Sequence, residues 1–185
     1  MANFTPSASW TWLTTNGRLA LRYGAAPSEL QVTPVSSMQH SMQHSVEAGS
    51  AFAFTLEHAE MFWTFWHALE PLQYAEQGRF AAAIDATACL CFLQQQGQKS
   101  WHFQTISNNF VPSCSDIVLL AGVDCSALAL VLDASEHSSL VLLLANLTSL
   151  SGKLIAGGTP ILLLNNRLQA WQPQPIRVSH LPKTA

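Results

Sequence analysis

The segment at residues 98–103, which reads QKSWHF, places several groups capable of chemistry at consecutive positions. Ser100 and His102 are the side-chain types that a hydrolase uses as nucleophile and base. No acidic residue is adjacent to orient the imidazole, although a distant aspartate could serve because such triads assemble in space. A hydrolase that uses Ser100 or a cysteine with His102 therefore stays open as an alternative function.

The same segment also has the composition of a recognition site. If it is an extended strand, its side chains alternate between two faces, so Lys99, Trp101 and Phe103 share one face. A cation beside aromatic side chains is typical of protein–protein contacts. Lys153 and Arg167 fall on neighbouring predicted strands and are the cations expected to join this surface. A general peptide-binding module is thus another alternative.

Signals for a metal or a nucleotide are weak. His40 and His44, in the repeat SMQHSMQH, have the i, i+4 spacing of metal ligands on a helix, but no carboxylate or cysteine is close by. A duplication in a tolerant loop explains the repeat better. Cys89 and Cys91 do not have the C-x-x-C spacing of a zinc site, and no glycine-rich phosphate loop is present. We expect no metal and no cofactor.

Composition narrows the classes of partner. The 185 residues are 49% hydrophobic and 10% charged, which predicts a folded chain with a sizeable core. Eight Lys and Arg residues are too few and too scattered to neutralise a nucleic-acid backbone. The apolar runs are too short to span a bilayer, and the N-terminus has no secretory signal. We therefore expect a cytoplasmic protein that neither binds nucleic acid nor inserts directly into a membrane.

The period of the apolar residues changes near residue 97. Before it we predict two strands that turn at residues 16 and 17, a strand at SAFAFTL, a helix capped by Thr55 that runs to Leu69, and a helix over RFAAAIDATACLCFLQ. After it, short apolar runs of strand length follow one another, and TPILLLNNRLQAW looks like two strands that turn at Asn165 and Asn166. We predict two domains, residues 1–97 and 98–185, the second a small β-barrel or sandwich with an extended tail.

Several stretches resemble the ZapC family of bacterial cell-division proteins, which associate with FtsZ. The most specific is KSWHF, followed eight residues later by VP, then by an apolar strand ladder and by NNRL after ILLL. SWTWL and GRLALRY resemble the family's opening aromatic pair and the strand after it, and FAAAIDATACLCFLQQ matches the helix before KSWHF. The resemblance covers roughly residues 9–168. The SMQH repeat, the FWTFW cluster and the QQQGQ that replaces basic residues before KSWHF depart from the family pattern.

The resemblance implies both a fold and a function. The fold would be α+β, with an N-terminal α/β domain followed by a C-terminal twisted β-barrel-like domain. The protein would be a non-enzymatic regulator of septation, located at the mid-cell division site. It would bind FtsZ at its C-terminal tail, promote lateral bundling of FtsZ protofilaments, stabilise the Z-ring and lower FtsZ GTPase activity.

The resemblance also implies two groups of site residues. The FtsZ-binding residues would be Lys99, Trp101, Phe103, Lys153 and Arg167. The residues related to bundling, in the second strand of the N-terminal domain, would be Arg18, Leu21 and Arg22. Of these, Leu21 is expected to pack inward. The sequence leaves open how two filaments are bridged.

Overall fold

A computed structural model of the chain describes residues 4–15, 18–24, 31–34, 50–94, 97–107 and 109–173. The SMQH repeat with His40 and His44, the predicted turn at residues 16 and 17 and most of the tail lie outside this part. Two α-helices and several antiparallel sheets make up the described part, which confirms the α+β class. None of the described helices combines the length and the apolar character needed to cross a membrane.

A four-stranded antiparallel sheet opens the chain. Its strands are β1 (Thr11–Thr15), β2 (Arg18–Tyr23), β3 (Gln31–Pro34) and β4 (Ala51–Ala53), in the order β3-β2-β1-β4. The predicted pairing of the first two strands is confirmed, since Trp12 lies opposite Leu21. Side chains on alternate positions of β2 are buried, as the period of two predicts for a sheet with one face in the core.

Two helices cover this sheet, α1 (Leu56–Ala68) and α2 (Glu76–Phe92). The hydroxyl of Thr55 accepts a hydrogen bond from the His58 N–H, so the predicted cap of α1 is confirmed. In return, Nδ1 of His58 accepts from the Thr55 N–H at 3.0 Å, which completes a capping box with histidine in the place usually taken by glutamate. Helix α2 packs against α1 on one side and the C-terminal sheet on the other, so buried residues extend around much of its surface.

The His58 cap should make the stability of the protein depend on pH. Burial lowers the pKa of the His58 imidazole below its ordinary value, and the nearby Glu57 carboxylate opposes this shift. The unfolded chain therefore takes up this proton first, so the contribution of His58 is complete above about pH 6.5 and is lost as the pH falls through the lower folded-state pKa. His58→Gln keeps a capping-box acceptor that does not titrate. Between about pH 7.5 and pH 5, we expect the melting temperature to fall more in wild type than in His58→Gln; equal slopes would contradict the assignment.

The C-terminal part forms a five-stranded antiparallel sheet and a two-stranded one. The larger sheet contains β5 (Ile117–Ala121), β6 (Ser126–Ala134), β7 (Ser138–Leu143), β10 (Pro160–Leu164) and β11 (Leu168–Ala170), in the order β10-β7-β6-β5-β11. The smaller sheet pairs β8 (Leu147–Thr148) with β9 (Leu154–Ile155), and we call it the β8–β9 ribbon.

The two strands predicted in TPILLLNNRLQAW, with a turn at Asn165 and Asn166, are confirmed, but they do not pair with each other. Strands β10 and β11 lie on opposite edges of the five-stranded sheet, and a short 3-10 turn over Asn165–Arg167 joins them. Laid flat, the two edges would stand ~19 Å apart, whereas the chain from Leu164 to Leu168 reaches at most ~15 Å. The sheet must therefore curl until its two edges face each other across a seam. The described strands do not close into a hydrogen-bonded barrel, so the barrel-like detail is not confirmed.

The curled sheet carries a hydrophobic core on each face. Leu130 and Leu142 pack with Ile84 of α2 in the core shared with the N-terminal part. Val131 projects from the other face into a second core, which lies inside the curl and also contains Phe103. The two parts of the chain thus share one sheet as a common wall, and the division at residue 97 stays a prediction.

Candidate peptide-binding site

The segment QKSWHF closes the seam of the curled sheet. The Lys99 N–H donates to the Leu162 carbonyl at 2.9 Å, and the Ser100 hydroxyl accepts from the Leu164 N–H at 2.8 Å, so the segment satisfies the open edge of β10. The chain then turns, and residues Ser100–His102 form a 3-10 helix. The segment is therefore not the extended strand considered from the sequence, since the N–H groups of His102 and Phe103 donate to the Lys99 and Ser100 carbonyls at 3.1 and 3.2 Å.

The turn changes which side chains are exposed. Trp101 is 66% exposed and its ring lies beside that of His102, with centroids 5.4 Å apart. Phe103 is 1% exposed and fills the second core. The two aromatic side chains therefore do not share a surface. Trp101 is available to a partner, whereas Phe103 supports the fold.

The side chain of Arg167 also forms hydrogen bonds at the seam. Its Nη1 donates to the Phe103 carbonyl at 3.2 Å and contacts the Thr105 hydroxyl. The Ile106 N–H donates to the Asn166 carbonyl at 2.8 Å, so the chain on both sides of Arg167 is held at the same place. Arg167 thus ties the segment after Phe103 to the β10–β11 connection, and it is not one of the residues that line the cavity described next.

A cavity of about 270 Å³ lies between the β8–β9 ribbon, the start of β10 and the turn at Ser100–His102. We call it the cationic cavity. Its lining residues are Lys99, His102, Ser149, Lys153, Leu154, Ile155, Ala156, Thr159 and Ile161. The structure thus brings together two of the five residues proposed from the sequence, Lys99 and Lys153, and Trp101 lies in the chain between the lining residues Lys99 and His102. Sequence reasoning missed the apolar wall formed by Leu154, Ile155 and Ile161.

A tight turn positions Lys153 at the cavity. The Gly152 N–H donates to the Ser149 carbonyl, the Ser149 N–H donates to the Lys153 carbonyl, and both distances are 2.9 Å. Gly152 has a φ of 77°, which a glycine adopts without the strain that a side chain adds. This is the three-residue hairpin loop with glycine in the left-handed position. In the sequence, this turn could have been predicted from residues 150–153, which read LSGK.

The cationic cavity has a net positive lining. Its lining contains two basic side chains, Lys99 and Lys153, and none of the described residues that line it is an aspartate or a glutamate. Within the described ranges, neither lysine forms an ion pair. Positive groups beside an apolar wall suit a ligand that combines carboxylates with apolar side chains.

The same geometry argues against the hydrolase alternative. Ser100 is 4% exposed, and its oxygen accepts the Leu164 N–H. The Nδ1 atom of His102 lies 3.4 Å from the Ser151 hydroxyl. Ser100 and His102 are thus engaged elsewhere rather than with each other, whereas nucleophilic catalysis needs the base within hydrogen-bond reach of the nucleophile.

The cysteine version of that alternative leads to a prediction. Burial, with a smaller contribution from Glu57, raises the pKa of the Cys91 thiol to about 11. At pH 8 only about one such thiol in a thousand is ionised, and the thiolate is the nucleophile. Cys125 is exposed. We expect iodoacetamide to label Cys125 long before Cys91, and the Cys91 rate to rise about tenfold per pH unit towards pH 11. Peptide mass spectrometry over time measures both rates, and equal labelling at pH 8 would contradict this.

The proposed bundling residues lie on β2, in the other sheet. Leu21 is fully buried, which confirms the expectation that it packs inward. Arg18 is exposed and Arg22 half-buried, and both lie on the face of β2 opposite Leu21. Leu21 therefore supports the strand, while the two arginines belong to its outer face.

The fold and the cavity define an α+β protein with a candidate site for an acidic, partly apolar peptide. A family model described as "Cell-division protein ZapC, C-terminal" matches residues 95–174, a range that contains every residue of the cationic cavity. The chain is 26% identical over 120 residues to the "Cell division protein ZapC" of Xenorhabdus bovienii (strain SS-2004), a match that covers 64% of this chain and 66% of that protein.

A second relative has the same protein name. Over 141 residues the chain is 28% identical to the "Cell division protein ZapC" of Vibrio vulnificus (strain CMCP6), and this match covers 74% of the chain and 73% of that protein. The matched region spans about two thirds of the length of the Xenorhabdus relative and slightly more of the Vibrio one. The chain is thus similar to the ZapC family of cell-division proteins, through the family model at residues 95–174 and through both relatives.

Proposed function

We propose that this chain binds FtsZ at the mid-cell division site, with the cationic cavity receiving the FtsZ C-terminal tail. FtsZ ends in a short tail that carries both apolar and acidic side chains. The observation that carries the proposal is the lining of the cavity: it combines Lys99 and Lys153 with an apolar wall, and no acidic residue in the described part of the chain lines it. Burial against that wall supplies affinity, and the lysines set the register and the rate of encounter.

The proposal extends to bundling. A protein that joins two protofilaments needs two contacts, from two sites on one chain or from a dimer. Arg18 and Arg22, on the outer face of β2, are our candidates for the second contact, with Leu21 holding the strand from inside. Lateral association would stabilise the Z-ring and lower FtsZ GTPase activity by slowing the turnover of subunits, without any catalytic group from this chain.

Co-sedimentation with polymerised FtsZ tests the proposal. We expect wild type to pellet with FtsZ above the FtsZ-free control, and Lys99→Gln/Lys153→Gln to bind about tenfold more weakly because both cations of the cavity are lost. Raising the salt concentration should weaken wild type more than the double variant. Phosphate release measured on the same mixtures reports whether GTPase activity falls with binding.

The control matches the change in net charge. Gln77→Glu/Gln169→Glu also makes the chain more negative by two charges, at exposed positions on α2 and β11 that do not line the cavity. We expect it to pellet like wild type. Equal weakening by both double variants would point to general charge repulsion and would contradict the cavity, and no pelleting of wild type would contradict FtsZ binding itself.

A further inference from the structure

The backbone of β9 at Leu154 points away from its partner strand. Along an antiparallel pair, hydrogen-bonded and non-hydrogen-bonded positions alternate. Ser149 and Lys153 form a hydrogen-bonded pair, because the Ser149 N–H donates to the Lys153 carbonyl. The next pair, Thr148 with Leu154, is therefore a non-hydrogen-bonded one, and the backbone groups of both residues point outward.

An independent hydrogen bond supports this alternation. The Thr148 carbonyl accepts from the Val123 N–H at 3.2 Å, on the side of β8 away from β9. The Thr148 carbonyl does point outward, as the alternation requires. By the same geometry, the N–H and C=O of Leu154 point outward on the opposite side of the β8–β9 ribbon. Among the described residues, β9 pairs only with β8, so this edge is the free one.

The free edge borders the cationic cavity. Lys153, Leu154, Ile155 and Ala156 all line it, and Leu154 is 63% exposed. A strand edge with unpaired backbone groups is a template for a further strand. The cavity restricts what that strand can be: two lysines and no carboxylate favour a chain with acidic side chains, and the apolar wall favours aliphatic ones between them.

We propose that the acidic tail peptide binds as an added β-strand on the free edge of β9, paired through the backbone N–H and C=O of Leu154. This rests on the function proposed above and specifies its mode of recognition. Main-chain hydrogen bonds hold the peptide extended, and successive peptide side chains alternate between the cavity and solvent. Acidic side chains at every second position then reach Lys99 and Lys153.

The test uses a fluorescent synthetic peptide with the FtsZ C-terminal tail sequence and the full chain, with anisotropy as the readout. Leu154→Pro removes the outward N–H without adding charge, and Leu154→Ala removes most of the same side chain but keeps that N–H. We expect Leu154→Pro to bind about tenfold more weakly than Leu154→Ala, the cost of one lost hydrogen bond that leaves its partner unsatisfied. Thermal unfolding of both variants shows whether the proline is tolerated.

A second measurement leaves the protein unchanged. N-methylation of the peptide, one amide at a time, should weaken binding to wild type at the amide that donates to the Leu154 carbonyl and spare the amides on either side of it, because only alternate amides of a strand face its partner. Hydrogen exchange at the Leu154 amide should also slow when the peptide is bound.

The outcomes separate the two proposals. Suppose that the peptide binds, that Leu154→Pro and Leu154→Ala bind it equally well, and that the N-methyl series shows no alternation. This result would overturn strand addition but leave the cavity as the site. Failure of wild type to bind the peptide at all would overturn both. A third outcome concerns dimers. If wild type without peptide forms concentration-dependent dimers and Leu154→Pro abolishes them, a second copy of this chain occupies the edge. That result would also overturn the inference.

Discussion

Replacing Phe103 by alanine is expected to lower the free energy of unfolding by about 3–5 kcal/mol, the usual cost of removing a large buried aromatic side chain. Phe103 lies in the core inside the curled sheet with residues from all five of its strands. The Phe103 N–H also donates to the Ser100 carbonyl, so the residue that fills this core also takes part in the turn at the seam. A small domain has a total stability of roughly 5–15 kcal/mol, so this loss is a large part of it.

The neighbouring aromatic provides the control. Trp101 is the larger side chain but is 66% exposed, and we expect Trp101→Ala to change the free energy of unfolding by no more than about 0.5 kcal/mol. Urea denaturation of the two variants measures both values. If Trp101→Ala proved as costly as Phe103→Ala, the division of KSWHF into one core residue and one surface residue would be wrong. Trp101→Ala should instead weaken FtsZ binding, since exposed tryptophans are frequent hot spots.

The helices could be predicted because their signals are local. Thr55 caps α1 within its own first turn, and the apolar stripe of α2 from Phe80 to Ile84 repeats at the helical period. The strands β1 and β2 are likewise joined by a short connection that favours one register. In each case, the residues that determine the element are within a few positions of one another.

The seam could not be predicted, because its determinants are distant in sequence. The hydroxyl of Ser100 accepts from the Leu164 N–H, 64 residues later, and that bond joins the turn at Ser100–His102 to the edge of β10. Asn165 and Asn166 indicated the turn between two apolar runs, but nothing local to them indicates which strands those runs pair with. Here they carry the chain across the seam to the opposite edge of a curled sheet.

The cavity was predictable only in part, for the same reason. Lys99, Lys153 and Arg167 were sparse cations of a weakly charged region, and the sequence suggested that all three act together, whereas only the two lysines line the cavity. Leu154 and Ile155 looked like one more short apolar run. That they form a wall opposite β10 depends on where the β8–β9 ribbon is docked, and no local pattern encodes this.

Gly122 determines where that ribbon docks, and Gly122→Ala is the second large effect that we expect. A Cβ atom at this position would lie 2.0 Å from the Thr148 carbonyl oxygen, a backbone atom that cannot rotate away, and 3.0 Å from a methyl carbon of Leu147. That carbonyl already accepts the Val123 N–H. The ribbon must move outward for an alanine to fit, and we expect a loss of about 3 kcal/mol in the free energy of unfolding.

The ribbon carries Lys153 and Leu154 into the cationic cavity, so Gly122→Ala should also weaken FtsZ binding although Gly122 does not line the cavity. Gly78→Ala is the matched control: nothing lies within 4 Å of the added Cβ, and in helix α2 the change should stabilise the chain by about 0.5–1 kcal/mol. Urea denaturation and pelleting with FtsZ, at a temperature where both variants are folded, measure the two effects. Normal binding by a folded Gly122→Ala would mean that the position of the ribbon does not control the site, and the cavity would then lose its geometric basis.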